Sequence, residues 1–269
     1  MKGVDRNRVR LSFHAHAEEY DSRACVQRRV VERLAGLIEG DGRVPRRLLD
    51  VGCGTGLLLA RLFPFLEESH VVGVDLAFGM CRAARDRGEG GGCFAVGDAV
   101  ALPFADAQFD LVVSSSVFQW LDSLAGAFAE AFRLLPPGGT FRFALFGGRT
   151  LFELRQAYRR AFAAVRGGEE GRTMAFFERD EVDRVLAGAG FTATTVWSEL
   201  ETESYPDVPE LLRAIRGVGA GNSAPPAARG LGERRVMLTM MEIYRRDFGV
   251  NGAIPATYEV IYGAGRKGG

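Results

Sequence analysis

Short apolar runs alternate with amphipathic stretches along the first half of the chain. The runs predict buried strands at RRLLDV, HVVGVDL, GCFAVGDA, FDLVVSSSV and TFRFALF. Between them, the leucines at positions 57, 58, 59 and 62 and the segments GMCRAARDR and LAGAFAEAFRLL have the apolar spacing of helices. Because strand and helix alternate over about a hundred residues, the pattern predicts βαβ units and a parallel sheet.

The two flanks of this region have different patterns. Residues 5 to about 38 are helical and polar, with a break near EEYDS, where we expect Asp21 or Ser22 to cap a second helix. After residue 147 the pattern predicts, in order, the helix TLFELRQAYRRAFAAV, the helix ERDEVDRVLAGAG, the strand FTATTVWSELETESY, helices at 209–216 and 232–248, and the strand TYEVIY. We expect the two late strands to add an antiparallel, hairpin-like pair to the parallel sheet.

Composition and charge narrow the class of protein. The 269 residues are 47% hydrophobic and 25% charged, and 34 basic residues cancel 34 acidic ones, which argues against a dedicated nucleic-acid binder. No stretch reaches the ~18 apolar residues of a membrane span, and the N-terminus has no apolar signal region. We therefore expect a protein of the cytoplasm without membrane or nucleic-acid partners.

The four cysteines are Cys25, Cys53, Cys81 and Cys93. They show no CxxC spacing and no paired histidines nearby, so we expect no metal site and no disulfide framework, but buried reduced thiols.

The stretch LLDVGCGTGLLLARL (residues 48–62) carries the clearest chemistry in the sequence. A strand that enters a glycine-rich turn and then a helix forms an anion or nucleotide site, because the glycines let a ligand touch the backbone near free N–H groups. The spacing is GxGxG, and Leu57 stands where the dinucleotide fingerprint requires glycine. Asp75 ends the next strand, where it can accept from ribose hydroxyls.

Two more aspartates fit the same ligand. Asp98 follows the third strand and can accept from an adenine amino group, and Asp50 precedes the glycines, where an ammonium group would lie. These residues suit a ligand that lacks a pyrophosphate, carries an amino-acid tail and bears a positive sulfonium. In order and spacing, DVGCGTG, GVDLAFGM, GDAVALPF, FDLVVSSSVFQWLDSL and RLLPPGG resemble the motif series of S-adenosylmethionine-dependent methyltransferases.

This resemblance implies the fold and the cofactor contacts. The implied fold is the α/β, Rossmann-like class I methyltransferase: a seven-stranded, mostly parallel sheet with helices on both faces. We expect one domain over residues 1–269, with an N-terminal helical cap (1–44) and a helical insertion or lid (about 148–177). S-adenosylmethionine, which leaves as S-adenosylhomocysteine, is expected to contact Asp50, Gly52, Gly54, Gly56, Asp75, Leu76, Asp98 and Ala99.

The flanks narrow the resemblance further. The opening segment VRLSFHAHAEEYDSRACVQRRVVERL, together with FQWLDSL, GRTLFELRQAY and the closing TYEVIYGAGRK, resembles the malonyl-[acyl-carrier protein] O-methyltransferases of biotin synthesis, the BioC family. The family usually has alanines where this chain has HAHAEEY. The resemblance implies methylation of the free carboxylate of a malonyl thioester on acyl-carrier protein, so that fatty-acid synthesis can elongate the disguised primer towards pimelate.

The implied chemistry needs no general base, because a carboxylate with a pKa near ~4 is already ionised at neutral pH. We expect Arg155, or Arg149 beside it, to orient the carboxylate, since a guanidinium grips a carboxylate bidentately. Tyr20 matches the family's YD tyrosine, which covers the cofactor and the reacting group. Gln119 follows the strand whose end faces the methyl group, and Trp120 is expected in the core.

Arginine clusters suggest where an acidic carrier protein would dock. One lies in the predicted insertion (Arg149, Arg155, Arg159, Arg160) and one near the N-terminus (Arg6, Arg8, Arg10, Arg28, Arg29). Two alternatives stay open: a methyltransferase for another small molecule or thioester, and an assembly factor that uses the same cofactor pocket. The oligomeric state is left open as well.

Overall fold

The computed structural model describes residues 5–88, 92–168, 175–221 and 231–269. Within them the strands are β1 (Arg47–Val51), β2 (His70–Asp75), β3 (Cys93–Val96), β4 (Leu111–Ser115), β5 (Thr140–Phe146), β6 (Phe191–Tyr205) and β7 (Ile254–Lys267). The helices are α1 (Arg6–His16), α2 (Tyr20–Arg23), α3 (Cys25–Gly40), α4 (Leu57–Leu62), α5 (Phe78–Arg87), α6 (Ala125–Leu134), α7 (Phe152–Arg166), α8 (Arg179–Gly188), α9 (Val208–Gly217) and α10 (Leu231–Phe248).

The strands form one sheet in the order β3-β2-β1-β4-β5-β7-β6. The first five are parallel to one another, and β7 is antiparallel to both of its neighbours. The predicted fold class, a mostly parallel seven-stranded sheet, is therefore confirmed. The predicted late strand pair is also confirmed, although α9 and α10 lie between its two strands in the chain.

Strand β7 is longer than the predicted TYEVIY, with 14 residues. It pairs with β5 on one side and β6 on the other, and these backbone hydrogen bonds extend the strand beyond the apolar segment that predicted it. Gly263 and Gly265 allow this close packing, because a Cβ atom at either position would come within 3 Å of the ring carbons of Phe143 or the Cβ of Phe191.

The sheet separates two apolar layers. Leu48 and Leu49 are adjacent, fully buried and on opposite faces, as the two-residue period of a strand requires. Helices α3, α4, α7 and α10 contribute to the layer around Leu48, and α6 and α8 to the layer around Leu49. Because both faces are covered, the carboxyl edge of the parallel strands is the place left for a binding site.

The expected helix cap at Asp21 or Ser22 was wrong. Helix α2 begins at Tyr20 and α3 at Cys25, and neither has a side-chain cap. The Asp21 carboxylate instead accepts hydrogen bonds from Thr55 and Arg87, which lie far away in the sequence. Long-range contacts thus override the local capping preference.

The cysteines partly differ from expectation. All four are free thiols, but Cys25 and Cys93 are exposed and only Cys53 and Cys81 are buried. No group of three His, Cys, Asp or Glu side chains in the described residues could hold a metal ion. None of the helices in the described ranges is long and apolar enough to cross a bilayer.

Candidate active site

The glycine loop joins β1 to α4 at the carboxyl edge of the sheet. Gly52, Gly54 and Gly56 all have positive φ angles (73°, 54° and 81°), which L-residues with side chains rarely adopt. A Cβ atom would meet Val117 at Gly52 and Ala84 at Gly56, whereas at Gly54 it would meet no atom within 4 Å. Gly52 and Gly56 therefore allow close packing, and of the three positions only Gly54 would direct a Cβ atom into open space that a ligand can fill.

Asp75 lies at the end of β2 and holds this loop. Its Oδ2 accepts from the backbone N–H of Gly54 at 3.0 Å, and its Oδ1 from that of Ala77 at 2.7 Å. Burial raises the pKa of Asp75 to about 6, although these backbone donors favour the ionised form. The carboxylate is thus fixed in place and can accept further hydrogen bonds from ribose hydroxyls.

Asp50 is the buried acid of the site. It is 2% exposed, and its Oδ1 has no hydrogen-bond partner. Burial, and next the charge of Asp75, raise the pKa of Asp50 to about 8. A buried carboxyl oxygen without a partner is costly, and a ligand ammonium group would satisfy it.

These residues line a first cavity, whose empty volume, together with the open solvent at its mouth, is about 1040 Å³. Six of the eight predicted cofactor residues lie on its wall: Asp50, Gly52, Gly54, Asp75, Leu76 and Ala99. The unpartnered Asp50 oxygen, the open space at Gly54 and the acceptors of Asp75 fit the ammonium tail and ribose of S-adenosylmethionine.

Gly56 and Asp98 do not line the first cavity. Gly56 starts α4, and Asp98 pairs with Arg6 of α1 and accepts from the Val100 N–H at 3.1 Å. The role expected for Asp98 at the adenine stays a prediction, and it requires Arg6 to share or release this carboxylate.

The N-terminal segment, residues 5–24, covers the first cavity. Besides the Arg6–Asp98 pair, Asp21 accepts from the Thr55 hydroxyl at 2.5 Å, and Nδ1 of His14 accepts from the Gly79 N–H at 3.0 Å. Arg6, Val9, Arg10, Phe13 and Tyr20 line the cavity from this side. The helical segment at the N-terminus therefore forms one wall of the site.

A second cavity, with an empty volume of about 630 Å³, adjoins the first. Five residues line both and define what we call the junction: Phe13, Tyr20, Gln27, Ser116 and Trp120. Burial, followed by the charges of Asp75 and Asp21, raises the pKa of the Tyr20 hydroxyl well above its usual value. At neutral pH this hydroxyl stays protonated and can donate, so the predicted site residue Tyr20 lies between the two cavities as a neutral donor.

Gln119 lines the second cavity and is 2% exposed. Its Nε2 donates to the carbonyl oxygen of Ser116 at 2.6 Å, and its Oε1 accepts from the Phe146 N–H at 3.4 Å. Its amide group thus joins the ends of β4 and β5.

The two candidate arginines do not line either cavity. The Arg155 guanidinium lies over the ring of Phe176, 5.6 Å from its centroid, and donates to the Gly148 carbonyl oxygen. Burial, and next the charge of Arg159, lower its pKa. Phe176 lines the second cavity, so Arg155 lies one residue behind the wall of that cavity. Arg149 is exposed.

The structure adds three residues to the site. Trp120, expected in the core, is half-buried and lines both cavities. Ser116 is beside it at the junction, and Arg23 is the one exposed residue on the wall of the second cavity as the described residues form it. The serine run at the end of β4 was the available sequence signal for Ser116, but no pattern distinguished Arg23 from the other arginines.

Together, the strand order, the glycine loop after β1 and the acids at the ends of β1 and β2 define a class I S-adenosylmethionine-dependent methyltransferase. The family model described as a methyltransferase domain matches residues 49–143. A malonyl-[acyl-carrier protein] O-methyltransferase from Geobacter sulfurreducens is 50% identical over 98% of this chain and 100% of its own length. The chain belongs to the malonyl-[acyl-carrier protein] O-methyltransferase family.

A second relative and a solved structure agree with this assignment. The biotin biosynthesis bifunctional protein BioHC from Teredinibacter turnerae is 34% identical over 96% of this chain and 46% of its own length. The YcgJ protein from Bacillus subtilis matches with a TM-score of 0.59 at 18% identity, over 88% of this chain and 99% of that one, which shows the common fold. The chain is a methyltransferase enzyme, and its cofactor is S-adenosylmethionine.

Proposed function

We propose that this enzyme methylates the free carboxylate of a malonyl thioester carried by acyl-carrier protein. The observation that carries the proposal is the pair of adjoining cavities, because one fits the methyl donor and the other opens onto it at Tyr20 and Trp120. The name of the relative that is 50% identical supports the substrate. The name of the bifunctional relative supports a place in biotin synthesis. We place the reaction in the cytoplasm.

The residues of the first cavity would hold the cofactor. Asp50 would pair with the ammonium group, Asp75 would accept from the ribose, and Gly54 would leave room for the tail. When bound, S-adenosylmethionine supplies an electrophilic methyl group on a sulfonium centre. The N-terminal segment covers this cavity and excludes water, which strengthens the electrostatic interactions within it.

The attacking group would be a carboxylate oxygen, which is already an anion at neutral pH and has no proton to lose. The cofactor, when bound, would supply the methyl group and keep its sulfur, so no residue of this chain would have to accept a proton. The enzyme therefore needs position and desolvation rather than a base. Tyr20, with its raised pKa, is suited to donate to the carboxylate and not to remove a proton.

Gln119 and Arg155 have supporting roles in this proposal. Gln119 fixes the backbone of Ser116 at the junction. Arg155 places a positive charge behind Phe176, where low surrounding dielectric extends its effect to an anion in the second cavity.

The carrier protein would dock where the second cavity reaches solvent. Arg23 lines the cavity there, and its side chain packs so closely against Gly217 of α9 that an added Cβ atom would clash with it. Arg213 and Arg216 are exposed on α9, whose Ala214 and Ile215 line the same cavity together with Val218, the residue that follows the helix. We call Arg23, Arg213 and Arg216 the carrier-facing arginines.

Nearby acids only partly neutralise this surface. Arg23 pairs with Glu19 and Arg213 with Glu210 at the surface, where ion pairs contribute little, so carboxylates of an acidic partner can compete for them. Arg216 makes no ion pair with any residue in the described ranges.

The test of the proposed function compares three substrates at equal concentration: malonyl-carrier protein, malonyl-coenzyme A and acetyl-carrier protein. We expect efficient methylation of the first, slower methylation of the second because it lacks the docking surface, and none of the third because it lacks the carboxylate. Equal rates on the two malonyl substrates would favour a methyltransferase for free thioesters. Absence of turnover on both would contradict the proposal.

A further inference from the structure

Two hydrogen-bond donors at the junction have no partner. Oγ of Ser116 and Nε1 of Trp120 are both buried, and neither makes a hydrogen bond. Both residues line both cavities, at the place where the donor and the acceptor of the methyl group must meet. A buried polar atom without a partner is unfavourable, so two at one place indicate a ligand that supplies the missing acceptor.

The backbone of Ser116 is held in an uncommon conformation. Its φ angle is 59°, in the left-handed region that residues with side chains seldom occupy. Its N–H donates to the Ala144 carbonyl oxygen at 2.8 Å, and its carbonyl oxygen accepts from Gln119 at 2.6 Å. Such strain persists where the surrounding structure enforces it, and it is concentrated at ligand sites.

The indole of Trp120 is also held in place. Its ring packs edge-on against Phe13, with 5.6 Å between the ring centroids. The indole N–H can only donate, so its missing partner must be an acceptor. A serine hydroxyl can donate as well, and the two oxygens of a carboxylate can take both hydrogen bonds.

We propose that Ser116 Oγ and Trp120 Nε1 bind the two oxygens, or one oxygen, of the substrate's free carboxylate and hold it for methyl transfer. The proposal rests on the proposed function, since it names the group that receives that substrate. Neutral donors suit this reaction because they orient the carboxylate without a full opposing charge on the attacking oxygen. A guanidinium in direct contact would stabilise the anion more strongly before the reaction and so lower its reactivity.

The test uses variants that remove each donor and keep the packing. Ser116→Gly removes the hydroxyl and accepts the left-handed backbone, and Trp120→Phe removes the indole N–H and keeps an aromatic ring beside Phe13. Ser115→Ala is the matched control, because Ser115 Oγ is also buried without a partner but lines only the first cavity. A second Ser116 variant, Ser116→Ala, separates loss of the hydroxyl from added backbone freedom.

The readout is the affinity for malonyl-carrier protein relative to acetyl-carrier protein, measured with S-adenosylhomocysteine present. We expect Ser116→Gly and Trp120→Phe each to weaken malonyl binding by about ten- to a hundredfold and to leave acetyl binding unchanged. General damage to the site would weaken both ligands together. Ser115→Ala should keep the full preference for malonyl.

The outcomes separate this inference from the proposed function. If the unaltered enzyme methylates malonyl-carrier protein and both donor variants keep the preference for malonyl, the carboxylate is bound elsewhere and the inference is wrong. If both variants bind S-adenosylhomocysteine poorly but keep that preference, the donors belong to the cofactor site and the inference is equally wrong. If the unaltered enzyme has no such preference, the proposed function itself fails.

Discussion

The Gln119 side chain donates to the backbone carbonyl oxygen of Ser116 over 2.6 Å, and this hydrogen bond fixes a residue whose φ angle is 59°. If Ser116 binds the substrate as proposed, Gln119 would be a positioning residue that acts on the substrate through Ser116. Its other hydrogen bond, from the Phe146 N–H, ties the same point to β5. The end of β4 is therefore held from two sides.

We expect Gln119→Met to lower kcat/KM for malonyl-carrier protein by about tenfold, since methionine has similar volume but cannot make these hydrogen bonds. The loss should be non-additive with Ser116→Gly, because both act through the same hydroxyl. Steady-state kinetics of the two single variants and the double variant test this. Additive losses would mean that Gln119 acts independently of Ser116.

Gly54 and Gly42 form a matched pair for testing the cofactor site. Both have positive φ, 54° and 65°, and an added Cβ atom would meet no protein atom within 4 Å at either. Only Gly54 lines the first cavity. Substitution by alanine should therefore strain both backbones by about 1–2 kcal/mol, but only Gly54→Ala should also take space from the cofactor.

Calorimetry with S-adenosylhomocysteine tests this difference. We expect affinity to fall at least about tenfold in Gly54→Ala and to stay unchanged in Gly42→Ala, with similar losses of thermal stability. Equal affinities in the two variants would remove the glycine loop from the binding site.

Because the pKa of Asp50 is raised to about 8, we expect cofactor binding to depend on pH. Below that pH the carboxyl group is protonated in the free enzyme, and pairing with an ammonium group requires loss of the proton. Affinity should therefore rise with pH between about 6 and 8, by up to about tenfold per pH unit. Turnover at saturating cofactor should stay flat over the same range, because the substrate carboxylate is ionised throughout.

Asp50→Asn should remove this pH dependence and most of the affinity. The same variant should stabilise the cofactor-free enzyme at pH 8. At pH values between the ordinary carboxyl pKa near 4 and the raised value, Asp50 is protonated in the native state but ionised in the unfolded state. The wild-type protein therefore loses stability as the pH rises through this window. Thermal unfolding from pH 5 to pH 9 measures this. A wild-type profile that rises with pH would contradict the assignment of Asp50.

The carrier-facing arginines predict where the carrier protein docks. We expect Arg213→Glu with Arg216→Glu to slow association with malonyl-carrier protein about tenfold at low salt, and to reduce its salt dependence. The matched control is Arg159→Glu with Arg160→Glu on α7, where Arg160 already pairs with Asp247. Stopped-flow association at two salt concentrations distinguishes the surfaces. The opposite ranking would place the carrier against α7, as the sequence alone suggested.

Local sequence patterns predicted the part of the site that is local in the chain. Asp50, Gly54 and Asp75 lie where a strand meets its following loop, and their roles depend on that short-range geometry. Ser116 and Trp120 could not be identified as unpartnered donors, because a hydrogen bond is known to be missing only when all neighbouring atoms are placed.

Long-range ion pairs could not be predicted from the sequence for the same reason. The partner of Asp98 is Arg6, 92 residues away, and no periodicity connects them. Arg29, one of the N-terminal arginines where a carrier protein was expected to dock, pairs with Glu201 and Glu203 of β6. Counting arginines showed that basic clusters exist, but only the fold showed which of them lie beside the second cavity.

The position of the transferred methyl group tests the central claim most directly. Malonyl-carrier protein is incubated with the enzyme and S-adenosylmethionine carrying an isotope-labelled methyl group, and the product is examined by mass spectrometry and nuclear magnetic resonance. We expect one labelled methyl per acyl group, as an ester on the malonyl carboxyl that is not part of the thioester. A label on the malonyl carbon chain, on the carrier polypeptide or absent altogether would contradict it.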